Sequence, residues 1–132
     1  MGVRVSLGVP KDNMKYTYSN KQFNEYVKNC KKWLIVFGIT EWDIDYKHHN
    51  IDTAARTTYD NVAKIACFQL TIEGEGDFCF QTDLNRLACH EVIHLLLADF
   101  GFAIHQTKDY CSDLAISQEH AVVMRLLNVL CK

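Results

Sequence analysis

Two histidines and a glutamate stand at a spacing that can perform chemistry: His90-Glu91-x-x-His94. On a helix, residues four positions apart lie on the same face, so the imidazoles of His90 and His94 can bind one metal ion. Glu91 is next to His90 around such a helix, close enough to act on a metal-activated water without itself binding the metal. The pattern therefore predicts a metal site. Zinc is the favoured ion because neutral imidazole and carboxylate suit it.

A third metal ligand must come from outside this helix, and Glu119 is the best candidate. On a helical wheel of residues 118–132, the apolar side chains centre close to the direction of Glu119. A carboxylate in the middle of a buried face needs a partner, and a metal ion would satisfy it. The alternative role is that of an ordinary first-turn glutamate stabilised by the helix N-terminus. The reserve ligands are His120, Asp109 and His105.

The residues after the motif exclude one class of metal site. Metzincins would continue the pattern with glycine at position 97 and histidine at position 100, where this chain has Leu97 and Phe100. Phe100 also argues against a zinc endoribonuclease of the His-x-x-x-His-x5-His type. The third ligand is therefore expected further along the chain.

The elements around the motif predict an α+β fold in a single domain over residues 1–132. Apolar residues recur at helical spacing after the N-cap Ser19, and apolar and acidic residues alternate around Trp42, as in a half-buried strand. The predicted elements are a helix from Ser19 to Gly38, strands at residues 42–46, 54–59 and 64–71, the motif helix from Leu84 to about residue 100, and a final helix from Ser117 to Leu130.

The remaining segments are predicted to connect these elements. Residues 1–17 are predicted to be extended or irregular. Residues 74–77, which alternate glycine with acidic residues, are predicted to interrupt the secondary structure. Asp83 or Thr82 can cap the motif helix. Residues 101–116 are expected to form a loop between the last two helices.

Composition limits the class of protein. The chain has 48% hydrophobic and 23% charged residues and a net charge of −2, which is ordinary for a soluble globular domain. No apolar run approaches the roughly 20 residues needed to cross a bilayer. The six cysteines lie mostly in apolar segments and form no Cys-x-x-Cys pair, which indicates reduced thiols in a cytoplasm.

The segments Ala88-Cys89-His90-Glu91-Val92-Ile93-His94-Leu95 and Gln118-Glu119-His120-Ala121-Val122 carry a family resemblance. Together they resemble the small gluzincin-type zinc metallopeptidase-like proteins of bacteriophages and prophages, over about residues 20–130. The resemblance implies a minimal zincin-like fold, a zinc ion bound by His90, His94 and Glu119, and Glu91 as the general base.

The first functional hypothesis is a zinc-dependent peptidase acting on a peptide or protein. Glu91 would take a proton from the zinc-activated water as that water attacks the carbonyl, then pass the proton to the leaving amine. Tyr110 or His105, in the loop between the two helices, could donate to the developing oxyanion. The carboxylates that could orient a ligand histidine are Asp83, Asp99 and Asp113.

Two other hypotheses assign the chain no peptidase activity. The first is a catalytically silent, zinc-stabilised module that binds a host protein, since a domain of 132 residues leaves little room for a substrate cleft. The second is a nucleic-acid-binding or nuclease function based on residues 1–32, which hold seven of the 14 Lys and Arg residues. The aromatic residues there lie on the apolar side of the predicted helix, away from the lysines, which disfavours a nucleic-acid interface.

Overall fold

A computed structural model of the chain describes residues 15–76, 83–98 and 112–131, with the backbone alone for residues 112–116. The described residues form three helices and two small sheets, which confirms the predicted α+β class. In chain order the elements are β1 (Lys15–Thr17), α1 (Asn20–Val36), β2 (Asp43–His48), β3 (Ala55–Asp60), β4 (Ile65–Leu70), β5 (Glu73–Glu75), α2 (Leu84–Leu96) and α3 (Ser112–Leu130).

Both ends of α1 are set by local sequence signals. The Ser19 hydroxyl accepts a hydrogen bond from the Gln22 backbone N–H at 3.1 Å, and the Gln22 side chain accepts one from the Ser19 N–H at 2.7 Å. This capping box satisfies two N–H groups that the helix itself leaves unpaired. Gly38 follows the C-cap with φ +68°, a left-handed conformation that glycine adopts without steric penalty. Both predicted ends of this helix are confirmed.

The three predicted strands form one sheet in the order β2-β4-β3, and their observed bounds lie within two residues of the predicted ones. β2 is parallel to β4, whereas β3 is antiparallel to β4. The predicted alternation in β2 is confirmed, since Ile44 and Tyr46 are half-buried while Asp43, Asp45 and Lys47 are exposed. Phe68 and Leu70 of β4 are fully buried in the core.

A second, two-stranded sheet was not predicted. β1 pairs antiparallel with β5, so the prediction that residues 74–77 simply break the chain is wrong for Gly74 and Glu75. Strands of three residues composed of Lys, Tyr, Thr, Glu and Gly are too short to show an apolar alternation. Gly74 is required here because a Cβ atom at that position would collide with the ring of buried Tyr16.

α2 is the most deeply buried helix of the described chain and packs against α1, β3 and α3. Asp83, one of the two predicted caps, is its N-cap and accepts a hydrogen bond from the Arg86 N–H at 3.0 Å. The helix ends at Leu96, so the predicted end near residue 100 is wrong. Apolar residues continue past the last helical residue, and their periodicity therefore did not mark the end of the helix.

α3 begins at Ser112, five residues before the predicted cap Ser117, which lies inside the helix. Serine occurs inside helices as well as at their N-caps, so its type alone did not locate the boundary. Val123 and Leu127 are fully buried, whereas Val129 is 67% exposed, so the buried face is narrower than the wheel predicts.

The last turn of α3 is fixed to the first turn of α2. Arg86 donates hydrogen bonds to the Cys131 carbonyl at 3.0 Å and to the Asn128 side chain at 2.6 Å. Among the residues that the structure describes, every helix is too short or too polar to cross a lipid bilayer.

Candidate metal centre

α2 presents the motif residues on one side, as their spacing predicts. The ring centroids of His90 and His94 are 4.8 Å apart, with the two planes inclined at 70°. The side chains of these residues are 16% and 28% exposed, so both rings lie at the edge of the core. The neighbouring residues Ala88, Cys89, Val92 and Ile93 are fully buried and hold the helix in place.

His120 of α3 completes a group of three histidines. Its ring centroid is 5.9 Å from that of His90, and one ligand atom of each of His90, His94 and His120 lies within 4.8 Å of the others. Ligand atoms around a tetrahedral zinc ion are roughly 3.3 Å apart, given bond lengths of about 2.0–2.1 Å. The three histidines could therefore hold a metal ion after side-chain shifts on the order of 1 Å.

Glu119, the predicted third ligand, lies at the same site beside His94. Its Oε1 is 3.5 Å from His94 Nδ1, and its side chain is 28% exposed. Glu119 lies four and eight residues before Val123 and Leu127, on the stripe of α3 that faces the core. The inward direction that the helical wheel predicts for Glu119 is thus confirmed, whereas its role as a metal ligand stays a prediction.

The environment of His94 favours its neutral form. Burial and, to a smaller extent, the nearby His90 lower the pKa of this imidazole, and together they outweigh the carboxylates of Glu91 and Glu119, which act to raise it. Only a neutral imidazole can bind a metal ion. The lowered pKa of His94 therefore favours the form of this ring that could bind a metal ion near neutral pH.

Glu91 is a buried carboxylate, 5% exposed, held by a residue from the sheet. The hydroxyl of Thr57 lies 2.7 Å from Glu91 Oε1 and 3.1 Å from the Glu91 carbonyl oxygen. The other carboxylate oxygen, Oε2, is 3.3 Å from His90 Nδ1. A buried carboxylate without such partners would be costly, so these contacts explain how Glu91 is tolerated here.

A pocket of about 280 Å³ opens at the site, between α2, α3 and the edge strand β3. Its lining comprises Ala55, Arg56, Thr57, Tyr59, His90, Glu91, His94 and Glu119. Burial raises the pKa of Tyr59, and the negative charge of Glu119 adds to this effect. The Tyr59 phenol therefore keeps its proton and can donate a hydrogen bond.

Sequence reasoning missed the four residues that β3 contributes to the pocket lining: Ala55, Arg56, Thr57 and Tyr59. Alternation along the predicted strand places Thr57 and Tyr59 on one face, and that was the signal present in the sequence. This alternation does not indicate which strand borders the motif helix, because strand order depends on contacts between residues that are far apart in the sequence.

Some predicted residues are not placed at the site. His105, Asp109 and Tyr110 lie outside the described residues, as does Asp99, and the side chain of Asp113 is not described. The Asp83 carboxylate caps α2 through the Arg86 N–H. Of the predicted metal-binding and catalytic residues, the structure brings together His90, Glu91, His94 and Glu119, with His120 from the reserve set.

Comparisons of this chain with protein-family models, with curated proteins and with solved structures found no match. Function must therefore be inferred from the chemistry of the site itself.

Proposed function

We propose that this protein is a zinc-dependent metallopeptidase that hydrolyses a peptide or protein substrate. A zinc ion held by His90, His94 and a residue of α3 would polarise the substrate carbonyl and lower the pKa of water toward about 7. The observation that carries the proposal is the grouping of Glu91 with His90 and His94 on one pocket wall. Imidazole groups of this kind fit zinc, and the lowered pKa of His94 supports binding near neutral pH.

Glu91 is the proposed proton carrier. It would accept a proton from the attacking water and then deliver it to the amine nitrogen of the leaving peptide. The Thr57 hydroxyl, 2.7 Å from Oε1, holds the carboxylate at the pocket wall while this happens. Positioning of this kind matters because a general base must lie within hydrogen-bond reach of the proton it takes.

Tyr59 is a candidate to stabilise charge on the substrate. Its phenol lies in the same pocket, and its raised pKa keeps the donor protonated. Tyr59 is 42% exposed, so its hydrogen bond to a developing oxyanion would be strengthened once a bound substrate excludes water from the pocket. Tyr110 and His105 remain sequence-based candidates for the same task.

The state of the cysteines supports action in the cytoplasm. Cys30, Cys67, Cys89 and Cys131 are free thiols, and Cys30 and Cys89 are buried. Free thiols are typical of a reducing compartment. The proposed protein partner is thus a cytoplasmic substrate.

The test is the rate at which zinc-loaded protein cleaves an unbiased mixture of short peptides, followed by mass spectrometry. Glu91→Gln keeps the shape of the side chain but removes the base, so we expect cleavage to slow by about 10²- to 10⁴-fold. The matched control is Glu25→Gln, an exposed glutamate on α1. Equal zinc content in both variants, with unchanged cleavage by Glu91→Gln, would contradict the mechanism.

A catalytically silent zinc module that binds a host protein is the second candidate. Its support is the burial of Glu91, whose two oxygens both lie near protein partners and not in open solvent. In that case hydroxamate would not bind, and zinc would leave only when the protein unfolds. Reversible removal of zinc by a chelator from the folded protein would argue for the enzyme.

A further inference from the structure

Each of the two carboxylates of the site lies near the Nδ1 atom of a histidine. Glu91 Oε2 is 3.3 Å from His90 Nδ1, and Glu119 Oε1 is 3.5 Å from His94 Nδ1. An imidazole has two nitrogens, so a carboxylate at Nδ1 leaves Nε2 as the atom for a metal ion. Histidines that bind metals commonly donate their other ring N–H to a carboxylate, which fixes the ring and its tautomer.

Consecutive residues of α3 meet different histidines of α2. Glu119 lies beside His94, while the ring of His120 lies 5.9 Å from that of His90. His120 is a member of the group of three side chains whose ligand atoms lie within 4.8 Å of one another. Neighbouring helix positions point about 100° apart, so the two residues reach the site from different directions.

We propose that the metal ion is bound by three histidines, His90, His94 and His120, and that Glu119 is a positioning residue that holds the His94 ring through Nδ1. Glu91, whose Oε2 is 3.3 Å from His90 Nδ1, keeps its separate proposed role as the general base. In this proposal Glu119, the third ligand predicted from the helical wheel and implied by the family resemblance, does not bind the metal, and the ligand set consists of three neutral histidines. The inference rests on the metal site of the proposed function and is independent of peptidase activity.

The experiment measures the binding of Co²⁺ and Zn²⁺ to the whole chain, by metal content after dialysis and by Co²⁺ absorption. Variants His120→Ala, Glu119→Ala and Glu119→Gln are compared with wild type. The control is His49→Ala, because His49 contacts Gln69 at 2.9 Å and does not belong to the histidine group. Circular dichroism of each metal-free variant checks folding, and exposed His120 can be replaced without loss of core packing.

We expect His120→Ala to lose bound metal on dialysis and to change the Co²⁺ spectrum, because a ligand is gone. Glu119→Ala should keep one metal per chain and a wild-type Co²⁺ band, with an affinity about 10- to 100-fold lower. Glu119→Gln should lose less affinity than Glu119→Ala, since its amide oxygen can still accept from Nδ1–H. His49→Ala should match wild type.

The opposite pattern overturns the inference. If Glu119→Ala loses the metal while His120→Ala retains it with an unchanged Co²⁺ band, Glu119 is the third ligand. If folded wild type binds no metal, both this inference and the proposed function fail. A peptidase assay without cleavage, together with the expected metal pattern, would remove the proposed activity and leave the three-histidine site in place.

Discussion

The two helices that build the candidate site hold their residues in different ways. His90, Glu91 and His94 of α2 stand beside fully buried residues, and Glu91 is further held by Thr57. The α3 residues are more open: Glu119 is 28% exposed, and His120 is exposed. The α2 part of the site is therefore fixed by the core, whereas the position of the α3 part depends on how α3 is attached to α2. Changes in the two parts should have different effects on stability and on metal binding.

The largest effect is expected for Ile93→Ala, which disturbs the core behind the α2 part of the site. Ile93 is fully buried, so its loss should lower the free energy of unfolding by about 2–5 kcal/mol. Ile35→Ala is the matched control, since Ile35 is 79% exposed and should change stability by less than about 0.5 kcal/mol. Both values come from chemical denaturation of the metal-free protein. Equal losses in the two variants would mean that the core does not fix α2.

A smaller effect is expected for Arg86→Ala, which detaches the end of α3. The hydrogen bonds from Arg86 to Cys131 and Asn128 join α3 to α2, and their loss should cost about 1–2 kcal/mol after solvent screening. Metal affinity should fall as well, because His120 is carried by the loosened helix. Arg125→Ala, an exposed arginine on α3, is the control for charge. Zn²⁺ affinity is measured by isothermal titration calorimetry. Wild-type affinity in both variants would show that the hydrogen bonds of Arg86 do not position His120.

The smallest effect is expected from alkaline pH, which acts on the core next to Glu91. Burial raises the pKa of the Cys30 thiol above its ordinary value of 9.0, and the charge of Glu91 adds to this. Above pH 9.0 the unfolded chain ionises this thiol while the folded chain does not, so the free energy of unfolding falls as pH rises. One such group contributes at most about 1.4 kcal/mol per pH unit.

Denaturation of the reduced, metal-free protein between pH 7 and pH 10 would measure this fall. Cys30→Ala should make it shallower, whereas Cys67→Ala should change it less, because Cys67 is only half-buried. A slope identical in wild type and Cys30→Ala would show that another group is responsible.

The features that could be predicted from sequence are those set by neighbouring residues. Ser19, Gln22 and Gly38 mark the ends of α1 locally, and the spacing of His90 and His94 places both on one face of α2. The end of α2 could not be predicted in this way, because the apolar residues Leu97 and Ala98 continue beyond Leu96.

What could not be predicted depends on contacts between distant parts of the chain. Thr57 touches Glu91 across 34 positions of sequence, and nothing around either residue indicates that β3 borders α2. The pairing of β1 with β5, for example of Lys15 with Glu75, joins segments that are still further apart in the sequence. The helical wheel predicted the direction of Glu119 correctly. However, the exposure of Val129 shows that the wheel overestimated the width of the buried face of α3.

The order of the strands has a consequence for how the protein is made. β4 is the last of its three strands in sequence, yet it lies in the centre of the sheet and pairs with both of the others. On the ribosome, a nascent chain that ends before Ile65 already contains β2 and β3 but cannot join them. The wall that β3 gives to the pocket therefore forms only after β4 has emerged, and α2 and α3 follow it. The candidate metal site needs residues of β3, α2 and α3, so it is complete only after α3 has been synthesised.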